Sequence, residues 1–232
     1  MDLSRRSLEP EQMDDPALSV EQYRRCLHDL AQVNRVTLTH RPVLAWLDRV
    51  TATLPAGAAI SVLDVACGEG DLLRAIRRWA DRRGLRATLE GIDLNPRSAV
   101  AAEAVTPAAM AIRHRIGDVF GYAPNPAPDF IVSSQFTHHL ADADVVRFLR
   151  WLELHARGGW FIADLHRHAF AYYGFPVLAV LARWHRIVRQ DGTVSIARSF
   201  RRADWTQLLA EAGLAAEIRW RLAFRFCVSR LK

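Results

Sequence analysis

The chain has 232 residues, 50% hydrophobic and 24% charged, which fits one α/β domain with a sizeable core and a small helical annex. Its three cysteines, Cys26, Cys67 and Cys227, are scattered and form no C-x-x-C pair, which argues against a disulfide framework and for a reducing, cytoplasmic setting. The formal charge of +6 rests on 31 basic residues, all but Lys232 arginine; interspersed with acids along helices (Arg74, Arg77, Arg78, Arg82, Arg83), they read as solvated faces before they read as a nucleic-acid surface.

The first residues, M-D-L-S-R-R, lack the apolar core of a secretory signal, so none is expected. No run approaches the ~20 apolar residues of a membrane helix. Residues 1–18 are polar and punctuated by Pro10 and Pro16, the composition of a frayed end. Ser19 is placed to cap a helix beginning near Val20, with Tyr23, Leu27, Leu30, Val33 and Val36 as its apolar stripe. A second helix is predicted from about Pro42, with Val43, Leu44, Trp46, Leu47 and Val50. Residues 1–55 thus make a helical annex or lid, and residues 56–232 the main domain.

In that domain the pattern alternates: strand 60–65, helix 70–83, strand 87–92, helix 96–104, strand 111–116, strand 129–134, helix 142–156 and strand 160–165. Such alternation predicts a parallel sheet covered on both faces. Ligands then bind beyond the carboxyl ends of the strands, where the strand order switches. Asp64, Asp93, Asp118, Ser134 and Asp164 all fall at or near such ends. After Asp164 the alternation breaks into an aromatic and apolar run, 169–182, interrupted by Gly174-Phe175-Pro176 and bordered by Trp184, His185 and Arg186. Residues 166–200 are read as a substrate cap over the mouth of the site, with a core helix as the alternative. A last helix opens at Arg201–Trp205 and stops at Gly213. Strands near 216–222 and 224–230 close the sheet as an antiparallel pair.

The stretch I60-S-V-L-D-V-A-C-G-E-G-D71 reads as strand, tight glycine turn and helix start. Gly68 and Gly70 let backbone amides approach a ligand, and the helix that follows presents unpaired N–H groups. Spacing excludes two phosphate sites: a dinucleotide fingerprint would need its third glycine at Leu73, and a Walker loop needs a lysine the region lacks. Asp93, ending the next strand with Leu94 beside it, is placed to accept both hydroxyls of a ribose. Asp118, flanked by Val119 and Phe120, is placed to accept from a purine amino group.

These residues resemble the glycine loop, ribose acid and adenine acid of class I S-adenosylmethionine-dependent methyltransferases, from about Ser61 to the C-terminus. Ala66 stands where the commonest pattern has its first glycine. The Asn34–Leu47 segment, the H-H-L stretch and Asp164-Leu165-His166-Arg167 are also similar to small-molecule methyltransferases of bacterial aromatic polyketide pathways. The resemblance implies a seven-stranded Rossmann-like sheet, mostly parallel with antiparallel last strands, and S-adenosyl-L-methionine as cofactor. It implies cofactor contacts from Asp64, Ala66, Cys67, Gly68, Gly70, Asp93, Leu94, Asp118, Val119, Ser134 and Gln135. Asn34, His40 and Arg41 flank the break between the annex helices, either to reach the methionine carboxylate or to bond helix termini.

Methyl transfer from a sulfonium chiefly requires the acceptor to be held in line. Where the acceptor must lose a proton, a neutral imidazole suits. His138, His139 and His166 are the candidates, with His138 facing the acceptor and His139 supporting the cofactor end of its loop. With no H-x-x-x-H pair joined by a third ligand, no metal is expected. The expectation is an O-methyltransferase, monomer or homodimer, acting on a small apolar acceptor, aromatic or polyketide-derived, with nucleic acid not expected as partner. The alternatives are an RNA-modifying methyltransferase and a cofactor-binding scaffold without turnover.

Overall fold

The computed structural model describes residues 2–232. The apolar run Ile60–Val65 becomes β1 (Ala59–Val65), nearly all of it buried, as a strand covered on both faces must be. Around it lie β2 (Arg86–Asp93), β3 (Ile112–Ile116), β4 (Phe130–Ser134), β5 (Gly159–Leu165), β6 (Glu217–Arg221) and β7 (Arg225–Leu231). The sheet runs β3-β2-β1-β4-β5-β7-β6. β1 to β5 pair in parallel, whereas β7 inserts between β5 and β6 and runs antiparallel to both. The expected seven-stranded α/β fold is thus present, with β7 as the reversed strand.

The helices are α1 (Val20–Val36), α2 (Arg41–Val50), α3 (Asp71–Arg82), α4 (Pro96–Val105), α5 (Asp142–His155), α6 (Ala169–Leu181), α7 (Arg186–Arg198) and α8 (Arg202–Ala212). On one face of the sheet Phe148 and Leu152 of α5 and Trp205 and Leu208 of α8 pack on Ile131, Ile162 and Val228. On the other, Trp46 and Leu47 of α2 and Leu73 and Ile76 of α3 cover Val62, Leu89, Val132 and Phe161. A smaller core joins Tyr23, Cys26 and Leu27 of α1 to Ala179 of α6 and Trp184, Ile187 and Val188. No helix of residues 2–232 is long and apolar enough to cross a membrane. All three cysteines are free and buried.

Local signals carried these ends. Ser19 and Gln22 form a reciprocal capping box at the start of α1. Gly213 ends α8 at φ 73°, a conformation that costs a glycine little.

Two expectations change. Gly174 and Pro176 do not break α6, which runs through both. The proline forfeits one backbone bond, but Ala179 is fully buried and Phe175 stacks on Trp184 with ring centroids 6.0 Å apart, so tertiary packing holds the helix. Nor is the N-terminal segment frayed. Buried Arg167 donates to the carbonyl of Leu3 at 3.0 Å. Asp191 accepts from the amides of Gln12 and Met13, both at 2.9 Å. Polar composition predicts fraying only when no partner awaits those groups, and here Arg167, just after β5, and Asp191 of α7 supply the partners.

Candidate functional site

Between β1 and β4 the strand order reverses, and the chain leaves β1 through a tight loop. Ala66, Gly68 and Gly70 take positive φ angles of 58°, 52° and 74°. Ala66 carries a Cβ into that region, a strain of about 1 kcal/mol. The loop is pinned against β2: the Ala66 amide donates to the Ile92 carbonyl at 2.8 Å and the Gly68 amide to Asp93 at 2.9 Å. Gly91 permits this approach, since a Cβ there would lie 2.6 Å from Cys67 Sγ and 2.7 Å from Leu73. Asp93 also accepts from the Asn95 amide at 2.9 Å.

Behind the loop, α3 opens with Asp71, which accepts from Asn34 Nδ2 at 2.8 Å and pairs with His40 Nε2 at 3.0 Å. Burial opposes its charge, but these two partners and Arg74 hold its carboxyl below the usual value. Asp64 has no such help. It is 2% exposed, and burial, then the charges of Asp71 and Asp93, push its carboxyl well above the ordinary range, with no donor to offset them. Burial likewise raises Asp93. Ser134 Oγ and His40 Nδ1 are buried without a hydrogen-bond partner. Gln135, at φ 56°, donates to Asn34 at 2.6 Å. With Leu27, Leu30 and Ala31 of α1, these groups line a cleft of about 740 Å³, part of it open to solvent. A cavity that faces a ligand with a buried carboxyl and two orphaned polar atoms is short of positive charge and of hydrogen-bond partners.

The far end of the cleft is built from Glu11, His138, His139 and Ser195. His138 is 2% exposed. Its Nδ1 lies 2.7 Å from Asp164 and its Nε2 3.5 Å from Glu11. Burial disfavours its cation, yet Asp164 and Glu11 carry the imidazole up to about 10. Reciprocally, burial opposes the charge of both carboxylates, and His138 is the main partner that holds each near 2. The ring is therefore an imidazolium held between two anions. His139 is half-buried, with Nδ1 3.3 Å from Asp14 and Nε2 3.9 Å from Glu11. Two arginines clamp the loop that bears both rings. Arg198 donates to the carbonyls of His138 at 3.1 Å and His139 at 3.0 Å, and Arg6 to that of Leu140 at 2.9 Å.

Asp64, Ala66, Cys67, Gly68, Ser134, Gln135, His138 and His139 meet in this one cleft, with Gly70 at its edge as the N-cap of α3 and Asp93 bonded to its loop. Asp118 instead caps a short turn by accepting from the Phe120 amide and lines a separate open notch with Ile92, Gly117 and Tyr122. Val119 points into the core beneath that notch. Leu94 is 70% exposed. Arg41 is exposed at the start of α2 and lines none of the cleft, whereas its neighbour His40 does. His166 is not brought to the cleft: Trp220 donates to its Nδ1 at 3.3 Å, its ring packs on Phe226, and burial with the cations nearby lowers it to about 4.

Glu11 and Ser195 escaped the sequence reading. Neither belongs to a motif, and they meet the histidines only because the N-terminal segment and α7 pack against the turn after β4 that carries both rings. Ser195 Oγ donates to Glu11 at 2.8 Å.

Comparison with known proteins bears on the fold and the family. The chain is 26% identical over 180 residues to the trans-aconitate 2-methyltransferase of Mycolicibacterium gilvum (strain PYR-GCK), a match covering 76% of this chain and 65% of that protein's length. The plantazolicin methyltransferase BpumL, solved in complex with SAH, superposes with a TM-score of 0.67 at 14% identity, covering 94% of this chain and 91% of that one. A SAM-dependent methyltransferase from Aquifex aeolicus superposes at 0.62 with 17% identity, over 92% and 98% of the two chains. The magnesium protoporphyrin IX methyltransferase of Synechocystis PCC 6803, with bound SAH, gives 0.56 at 15% identity over 94% and 89%. A family model described as "Methyltransferase domain" matches residues 38–217, and the chain belongs to that methyltransferase family.

Proposed function

We propose that this chain transfers a methyl group from S-adenosyl-L-methionine to an oxygen of a small-molecule acceptor. The observation that carries the reading is the buried, uncompensated Asp64 carboxyl facing the cleft beside the glycine loop. An amino acid ammonium and a sulfonium are the cations that relieve it. The orphaned Ser134 hydroxyl and His40 Nδ1 then gain partners for the polar end of the same ligand. Asp93 takes the ribose hydroxyls, Asp118 in its notch takes the adenine amino group, and residues 1–55 serve as a lid.

The bound cofactor supplies a methyl group already activated as a sulfonium substituent. The chain's share is to hold the acceptor oxygen in line with that carbon and to exclude water. His138 keeps its proton between Asp164 and Glu11, so it positions the loop and takes no proton from the acceptor. An oxygen already ionised near neutral pH, as in a carboxylate, an acidic phenol or the acidic enol of a 1,3-dicarbonyl, needs no base. An apolar body, aromatic or polyketide-derived, finds contact on Leu27, Leu30 and Ala31. The aromatic residues of α6 are absent from the lining of this cleft, so they give the acceptor class no support.

Calorimetric titration with the cofactor and with its demethylated product tests the binding half. Heat from neither ligand would remove the reading. Asp93→Ala is expected to weaken affinity tenfold or more, about 1.4 kcal/mol, with the circular dichroism spectrum unchanged. Incubation of candidate acceptors with a deuterated methyl donor, read by mass spectrometry, identifies the methylated atom.

A further inference from the structure

Glu11, His138 and His139 each offer one ligand atom, and these atoms all lie within 4.8 Å of one another. Nδ1 of His138 is held by Asp164 at 2.7 Å and Nδ1 of His139 by Asp14 at 3.3 Å. Both rings are thereby oriented by an outer carboxylate, and both Nε2 atoms face the two oxygens of Glu11, at 3.5 and 3.9 Å. Those separations are long for hydrogen bonds. The shorter is close to the edge of a tetrahedron with metal–ligand bonds of 2.0–2.1 Å, which is about 3.4 Å, and the longer is wider than that edge. An imidazole whose second nitrogen rests on a carboxylate is the arrangement that orients a metal ligand. Ser195, donating to Glu11 at 2.8 Å, orients the third ligand in the same way.

We propose that Glu11, His138 and His139 form a divalent-cation site of the zinc class. Two imidazoles and one carboxylate favour such an ion over magnesium or calcium, which take all-oxygen sets. Binding forms a bond from His138 Nε2 to the metal and releases to solvent the proton that this nitrogen holds in the metal-free protein, so the ring takes no proton from the acceptor in either state. Three protein ligands leave the fourth position towards the cleft. There the ion receives an anionic oxygen of the acceptor, which would otherwise meet the negative charge of Glu11. The acceptor role rests on the function proposed above; the metal site does not.

The test is titration of the metal-stripped full-length protein with zinc, magnesium and calcium chlorides, followed by calorimetry and melting temperature. One zinc per chain and a raised melting temperature are expected, with no response to magnesium or calcium. His139→Ala and Glu11→Gln should abolish the stoichiometric heat. Asp14→Asn, at an exposed position, should weaken affinity about 10- to 100-fold. Absence of zinc binding by the unaltered protein, or undiminished affinity in His139→Ala, overturns the site. Should Glu11→Gln fail to fold, His139→Ala and Asp14→Asn decide. Affinity for S-adenosylhomocysteine, measured on the same metal-free protein, separates the two proposals: intact cofactor binding without zinc binding removes the metal site alone.

Discussion

Asp164 shows how much one side chain carries. Its two oxygens accept from the Thr137 hydroxyl, the amides of His138 and Leu165, and the His138 ring. Removing that ring strands two buried carboxylates. His138→Ala is therefore expected to cost about 3–5 kcal/mol, the usual penalty for breaking a buried pair, and thermal unfolding measures it. An unchanged melting temperature would show that Asp164 and Glu11 do not rely on the imidazolium. His166 behaves oppositely. Its value falls from the ordinary 6.5 to about 4 because burial and neighbouring cations oppose its charge, so between pH 6.5 and 4 the unfolded chain binds the extra proton. Its contribution to stability is full above pH 6.5 and is lost as pH falls towards 4. Proton NMR should find the His166 ring neutral at pH 5.5.

At the scale of elements, a glycine joins the two helices read as a cap. Gly192 of α7 lies against the Phe175 ring of α6, and a Cβ there would overlap it. Gly192→Ala is expected to push α6 outward, lower the melting temperature and speed hydrogen exchange in residues 169–181; overpacking of this kind costs about 1–3 kcal/mol. Unaltered exchange in α6 would mean that Phe175 yields freely. Beyond that contact α6 leaves Phe170, Tyr173, Val177 and Leu181 exposed. Its apolar composition thus marks an outward face rather than a wall of the cleft. Composition marked the run as apolar but fixed neither an unbroken helix nor the direction of its apolar side, because a helix apolar all round has no polar face to orient it.

Across the whole molecule, the N-terminal segment runs over the sheet's carboxyl edge and completes the cleft. Deleting residues 2–12 removes Arg6 and Glu11 and exposes the groups of Arg167, Asp191 and Ser195 that now bond that segment. The shortened chain is expected to keep its strand content by circular dichroism, melt at a lower temperature and lose most turnover. Wild-type turnover in that variant would deny the segment any part in the site.

The sequence by itself determined the alternation of strands and helices from β1 to β5, the glycine loop, and the carboxylates at the strand ends. Those features are local: β-branched runs, caps such as Ser19 and Gly213, and short turns act within a few residues of themselves. Only the tertiary structure decided that Glu11 faces His138, that Asp164 fixes that ring's charge, and that His166 lies outside the cleft. Each of these depends on which groups share a low-dielectric interior across 26 to 127 residues of chain, and no local pattern encodes that proximity.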